Sequence, residues 1–201
     1  MAAAIIAFQV FALSAYSFSA EKIYKVDSGK SNFVVKVGTA GLLSGFGHNH
    51  TIKISNFSGE AKVNPDALDQ SSITLNVETA SLRVIDTDIT DADRKEVQST
   101  MLEKVLETGK FSAATFKSTK VVGVQKNGNE AKLTLEGELN LHGVQHHISI
   151  PMTISINGEE LRARGEIGLK QTDYKIEPVT AGLGAVKVKD EVRLTFDIVA
   201  R

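Results

Sequence analysis

The chain has 201 residues, enough for one domain with a sizeable core, and its 42% hydrophobic and 23% charged residues are those of an ordinary globular protein. Its 23 basic and 24 acidic residues leave a net charge of −1, without the basic excess of a nucleic-acid binder or a basic run for a membrane surface. The lack of cysteine excludes disulfides, thiolate metal sites, a cysteine nucleophile and a lipid-modified leader.

Residues 1–20 carry no charged side chain; an apolar run from Ile5 to Leu13, broken only by Gln9, is followed by small residues ending at Ser19 and Ala20. That pattern predicts a signal peptide cut after Ser19 or Ala20, hence an exported protein, periplasmic or secreted. The run is too short for a membrane span, so no stable span is expected after cleavage.

From there the pattern is β with one interruption. Phe33, Val35 and Val37 share one strand phase; Ile52 and Ile54 occupy even positions, while Phe57, Gly59, Ala61 and Val63 occupy odd ones. The change of phase at Ser55 and Asn56 predicts a bulge that bends the strand. Ile73, Leu75 and Val77 alternate with polar residues, as do Leu133, Leu135, Gly137, Leu139 and Leu141. Further faces are Val144, His146, Ile148, Ile150, Met152, Ile154 and Ile156; Leu161, Ala163, Gly165, Ile167 and Leu169; and Val186, Val188, Val192, Leu194, Phe196 and Ile198, the last broken by Asp190. Turns fall at Asn127-Gly128-Asn129, His142-Gly143 and Asn157-Gly158, so the C-terminal half reads as a meander.

The interruption is a helix over residues 91–107. Val97, Met101 and Val105 recur every fourth residue with Leu102 and Leu106 beside them; Thr90 is the expected N-cap, Asp91 and Asp93 favour the N-terminus, and Gly109 is the expected stop. Long alternating strands joined by hairpins leave exposed edges unless the sheet closes. The expected fold is therefore an all-β, antiparallel, up-and-down barrel of about eight strands with one inserted helix, covering residues 21–201 as a single domain.

Several segments in this order resemble the YceI-like family: Tyr24-Lys25-Val26-Asp27-Ser28 with Ser31-Asn32-Phe33-Val34-Val35, then Asp93-Arg94, then the stretch from Gly109 to Thr119. Gly137-Glu138-Leu139-Asn140-Leu141-His142-Gly143-Val144 and Tyr174-Lys175-Ile176 continue the match, which runs from Tyr24 to about Ile198. The chain departs from the common pattern at the histidine-rich Phe46-Gly47-His48-Asn49-His50 and where Val105-Leu106 replaces a double aromatic. The resemblance implies an exported, lipocalin-like barrel that binds a polyisoprenoid in its interior, and no enzymatic activity.

Burial of an apolar chain requires no reactive residue. The interior face, and with it the expected ligand contacts, comprises Phe33, Val35, Val37, Ile73, Leu75, Val77, Phe116, Leu133, Leu135, Leu139, Ile148, Ile150, Ile167, Leu169, Leu194 and Phe196, with His146 at the mouth and Leu42, Leu43 and Phe46 as a gate. Glycines at 137 and 165 fall in the inward phase and favour open space; His146 reads as a hydrogen-bonded core histidine, His142 and His147 as solvated. Two rival readings remain open: a metal site built on His48 and His50, two apart on a strand, with His146 or His147 as third ligand; and a structural or stress-response barrel with a filled core. Asp86, Asp88, Asp91 and Asp93 lack the glycine and terminal glutamate of a calcium loop, and Glu159-Glu160 and Glu136 with Glu138 read as solvated carboxylates. No cofactor motif occurs. The oligomeric state stays open, a dimer included.

Overall fold

The computed structural model describes residues 21–40, 48–181 and 186–201. The expected leader over 1–20, the gate at Leu42, Leu43 and Phe46, and most of the glycine-rich stretch Gly182-Leu183-Gly184 with its neighbour Ala185 lie outside the described residues. Among the described residues no helix is long and apolar enough to cross a membrane.

Among the described residues, twelve strands form one antiparallel sheet: β1 (Lys22–Lys25), β2 (Asn32–Ala40), β3 (His50–Ile54), β4 (Phe57–Val63), β5 (Ser72–Glu78), β6 (Leu82–Val84), β7 (Ala113–Asn127), β8 (Glu130–Leu141), β9 (Val144–Asn157), β10 (Glu160–Lys170), β11 (Thr180–Ala181) and β12 (Val186–Ala200). The count exceeds the expected one because the first three staves are each kinked into two strands, β1–β2, β3–β4 and β5–β6, and because the two-residue β11 adds to the end of β12 without being a stave of its own. Together with β7, β8, β9, β10 and β12 they make eight staves. β4 pairs with β1 and β5, whereas β3 pairs with β2 and β6. The kink of β3–β4 falls at Ser55 and Asn56, where the change of apolar phase was expected to bend the chain. The corner is held by Ser81, whose hydroxyl accepts from Asn56 N–H at 3.0 Å, and by Glu78 N–H, which donates to Asn56 C=O.

The ring closes at one end through the chain termini. Val26 bridges Ala200, Lys25 and Arg201 exchange both backbone bonds, and Asp27 N–H donates to Val199 C=O. This end is packed solid by Tyr24, Ala61, Val63, Leu68, Val121, Ala131, Leu133, Leu135, Ile154, Leu161 and Ala200.

The hairpins behave as their glycines require. Asn157 pairs with Glu160, so Gly158 takes the first turn position with φ +60°, one residue later than an Asn-Gly turn would place it. His142 and Gly143 both take positive φ between β8 and β9.

The helix over 91–107 is α-helical at Asp91–Thr100 (α1) and widens into a π-turn at Met101–Val105, with Leu106 N–H donating to Met101 C=O. Thr90 caps it, accepting from Asp93 N–H. Glu107, at φ +43°, makes the left-handed turn out of the helix, so the expected stop at Gly109 lies two residues too late. Met101, Val97, Leu102 and Leu106 pack on Ile52, Val84, Val35 and Val37, which lays the helix across the other, open end of the barrel. Gln98 completes the free edge of β6: its side chain accepts from Val84 N–H and donates to Leu82 C=O, both at 2.8 Å.

Candidate functional site

Strand alternation delivers the apolar side chains to the barrel axis, and their burial changes along it. Leu133 and Leu135 belong to the packed end. Ile73 and Leu75 pack against it while keeping part of their surface accessible.

The next layer is aromatic. Phe33 meets Phe57 edge-on at 5.7 Å and Phe196 at 6.3 Å, with Val77 and Ile198 in the same cluster. The two inward glycines lie under phenylalanine rings, Gly137 under Phe116 of the packed end and Gly165 under Phe196 of this layer. A Cβ at Gly137 would come within 2.6 Å of Phe116 Cζ, and one at Gly165 within 2.5 Å of Phe196 Cζ. The expectation that Gly137 and Gly165 leave open space is therefore corrected: each makes room for a phenylalanine ring.

Above this floor the wall stays apolar but its side chains are only partly buried. Val35, Val37, Leu139, Ile148, Ile150, Ile167 and Leu194 hold inward strand positions and remain partly accessible. A packed core would bury such residues. Leu169, by contrast, is buried with Tyr174 and Ile176 in a cluster that also touches Val105 and Leu106 of the helix end. Tyr174, only 2% exposed, is the last residue of a one-turn 3₁₀ helix, Thr172–Tyr174. It was noted in the sequence only as part of the family resemblance. Burial pushes its phenol above the ordinary tyrosine range.

The turn carrying Tyr174 is tied down on three sides. Asp190 accepts from Thr172 N–H at 2.9 Å and from its hydroxyl at 2.7 Å. These bonds, the backbone one first, hold the Asp190 carboxyl below its ordinary range. Asp190 breaks the apolar pattern of β12 because the strand bulges there: Lys189, Asp190 and Glu191 stand opposite Gly38 alone. His146 Nε2 lies 2.8 Å from Asp173 C=O, its ring edge-on to Tyr174 at 5.2 Å. His142 Nδ1 lies 3.2 Å from Tyr174 C=O.

The histidines thus fall differently from expectation. His146 is exposed at the rim rather than set in the core, because it lies where β9 has lost its neighbour β10. His142, expected in solvent, is 9% exposed. Its turn folds under Phe111, with ring centroids 4.0 Å apart, and its Nε2 is 3.0 Å from Glu107 Oε2 at an angle too oblique for a hydrogen bond. His147 is half-exposed beside Glu138, as its phase requires.

His48 and His50 are not brought together with either. His50 Nδ1 lies 2.7 Å from the buried carboxylate of Asp86, whose other oxygen accepts from Thr51 N–H at 2.6 Å. Among the described residues, no group of three or more metal-capable side chains gathers. The aspartates serve separately: Asp91 pairs with Arg94 and Asp93 closes the helix cap with Thr90. Glu159 is held by Lys22 and Glu160 by Arg201, so the two do not form a carboxylate pair.

A cavity of about 410 Å³ opens between residues 146–149 of β9 and 167–170 of β10, floored by Tyr174. Sequence reasoning missed it. Its signal was Pro151, a proline in the middle of an unbroken apolar alternation. A second hollow of about 440 Å³ lies outside, between α1 and β6, beside Arg94 and Gln98.

The YceI-like domain family matches residues 24–200. A UPF0312 protein of Vibrio parahaemolyticus is 37% identical over 99 residues, which span 49% of this chain and 46% of that protein, a little under half its length. The crystal structure of Burkholderia cenocepacia BcnA superposes with a TM-score of 0.67 at 21% identity, covering 88% of this chain and 99% of that one. A polyisoprenoid binding domain of Saccharophagus degradans superposes with a TM-score of 0.62 at 17% identity, over 89% of this chain and 97% of that domain.

Proposed function

The chain belongs to the YceI-like family, and we propose that it binds a long apolar molecule, a polyisoprenoid or a similar lipid chain, in the open half of its barrel, carrying or storing it without transforming it. The observation that carries this reading is the burial gradient. Below the phenylalanine floor the interior is packed, while Val35, Val37, Ile167 and Leu194, which lie outside the packed-end cluster, point inward and stay partly accessible. Apolar surface of that kind is stabilised by an apolar occupant, at roughly 0.8 kcal/mol for each methylene withdrawn from water. The fold shared with the Saccharophagus degradans polyisoprenoid binding domain supports the same class of ligand. The proposal includes export, on the composition of residues 1–20.

Native mass spectrometry of protein gently purified from its own host tests the reading. A discrete added mass that organic solvent extracts, and that a Leu194→Trp variant of unchanged melting temperature no longer carries, is the expected result. A bare polypeptide that also fails to take up an added long-chain isoprenoid alcohol would overturn it and leave the filled barrel. A small added mass removed by a chelator would return attention to His48 and His50.

A further inference from the structure

We infer that the apolar ligand passes into the barrel sideways, through a window in the wall between β9 and β10; this rests on the proposed lipid binding.

Register places the window. β9 and β10 pair from Asn157 with Glu160 as far as Met152 with Gly165, and no further, although β9 continues to Val144 and β10 to Lys170. Beyond that point β9 pairs only with β8, and β10 only with β12.

The break is written into the chain. Asn157 and Glu160 flank a two-residue turn, so odd residues of β9 direct their backbone groups to β10. Ile156 N–H, on the other side, donates to Asn129 C=O. Position 151 would supply the next bond toward β10, opposite Glu166, and Pro151 has no N–H to give.

Past the break, the cavity is lined by consecutive residues of both strands. Ile148 and Ile167 come from the inward phase, Ser149 and Gly168 from the outward phase. A hollow on one face of a sheet would expose alternate residues only. One bounded by both phases sits in the gap between the two strands, open to solvent and with the inward-phase Ile148 and Ile167 among its walls.

Its frame is fixed. Tyr174 forms the sill, anchored through Thr172 to Asp190 on the bulge of β12 and through its own carbonyl to His142. His146, above the sill, is held by Asp173 C=O. The opening is thus a built gap, rimmed by polar groups where a chain would leave water.

The absence of cysteine makes a direct test simple. Ser149→Cys, labelled with a bulky maleimide, blocks the window; Ser58→Cys, labelled likewise on the outside of β4, is the control. Binding and release of a fluorescent polyene fatty acid are followed by stopped flow. The expected result is that the label at position 149 slows both rates by tenfold or more while the equilibrium constant stays within twofold, and that the control changes neither. Pro151→Val, which restores the missing donor and allows the ladder to extend, should slow both rates without a label. Equal rates for the two labelled proteins and for Pro151→Val, with the probe still bound, would overturn the window and leave lipid binding standing. An unlabelled protein that binds neither this probe nor an isoprenoid alcohol would overturn both.

Discussion

The ring of Phe196 occupies the space that a side chain at position 165 would need: a Cβ on Gly165 would lie 2.5 Å from Phe196 Cζ and 2.7 Å from the carbonyl oxygen of Pro151. The second neighbour is backbone, so it cannot swing aside. Gly165→Ala is expected to destabilise the protein by about 1–3 kcal/mol through overpacking. Phe196→Ala leaves a void and should cost about 3–5 kcal/mol. Urea midpoints compared at constant slope measure both. Equal stability of Gly165→Ala and the parent would show that the ring does not seal this position.

The two ends of the barrel should respond differently to the same truncation. Leu135 is buried in the packed end and Leu194 lines the accessible half. Leu135→Ala should cost roughly 2–5 kcal/mol, and Leu194→Ala clearly less in ligand-free protein. The order of the two denaturant midpoints decides. The reverse order would place the open space below the phenylalanine floor.

Asp190 makes the turn that carries Tyr174 sensitive to acid. Its carboxyl is depressed in the folded protein, chiefly by the Thr172 backbone N–H. A depressed acid contributes stability that is fully present above its unfolded pKa and lost as pH falls through the folded one. Exchange protection at Thr172 N–H should therefore hold at neutral pH and fade below the ordinary carboxylate range, while Asp190→Ala should lack it at every pH. Hydrogen exchange followed by NMR reads this directly. Protection unchanged in Asp190→Ala would show that the backbone bond from Gln171 N–H to Asp190 C=O, with His142, suffices to hold the turn.

Asp86 joins β3 to the start of the helix. It is 6% exposed, receives Thr51 N–H and His50, and its carbonyl accepts from Arg94 Nε. Asp86→Ala removes a buried charged acceptor and should cost about 3 kcal/mol, whereas His50→Ala should cost less, since Thr51 keeps its partner. A double-mutant cycle on thermal unfolding measures the coupling; none would mean the His50 contact contributes only geometry.

Strand alternation carried most of the architecture because one buried face imposes a period of two. That rule located the staves and the corner at Ser55 and Asn56, and its replacement by a four-residue recurrence at Val97 and Met101 located the helix. Alternation is silent on how full the interior is. Gly137 and Gly165 fell on the inward phase in either case, and only the paths of Phe116 and Phe196 decide that they are filled. His142 misled for a related reason: phase has no meaning inside a two-residue turn, where the neighbouring Phe111 and Tyr174 set burial. Pro151 was visible in the sequence. Its meaning depends on which neighbour its backbone faces, and that follows from the register set by Asn157 and Glu160.

The bridge between Val26 and Ala200 sets a condition on timing. The first stave is completed by the last, so the seal that closes the packed end joins residues 174 positions apart and cannot form until translation has reached the end of the strand. Contacts of such sequence separation are slow to find. Until they form, the edges of β1 and β12 stand unpaired at one end of the molecule. A chain shortened by its last few residues would leave that seam open permanently, turning a closed wall into a pair of sticky edges without touching any residue of the cavity.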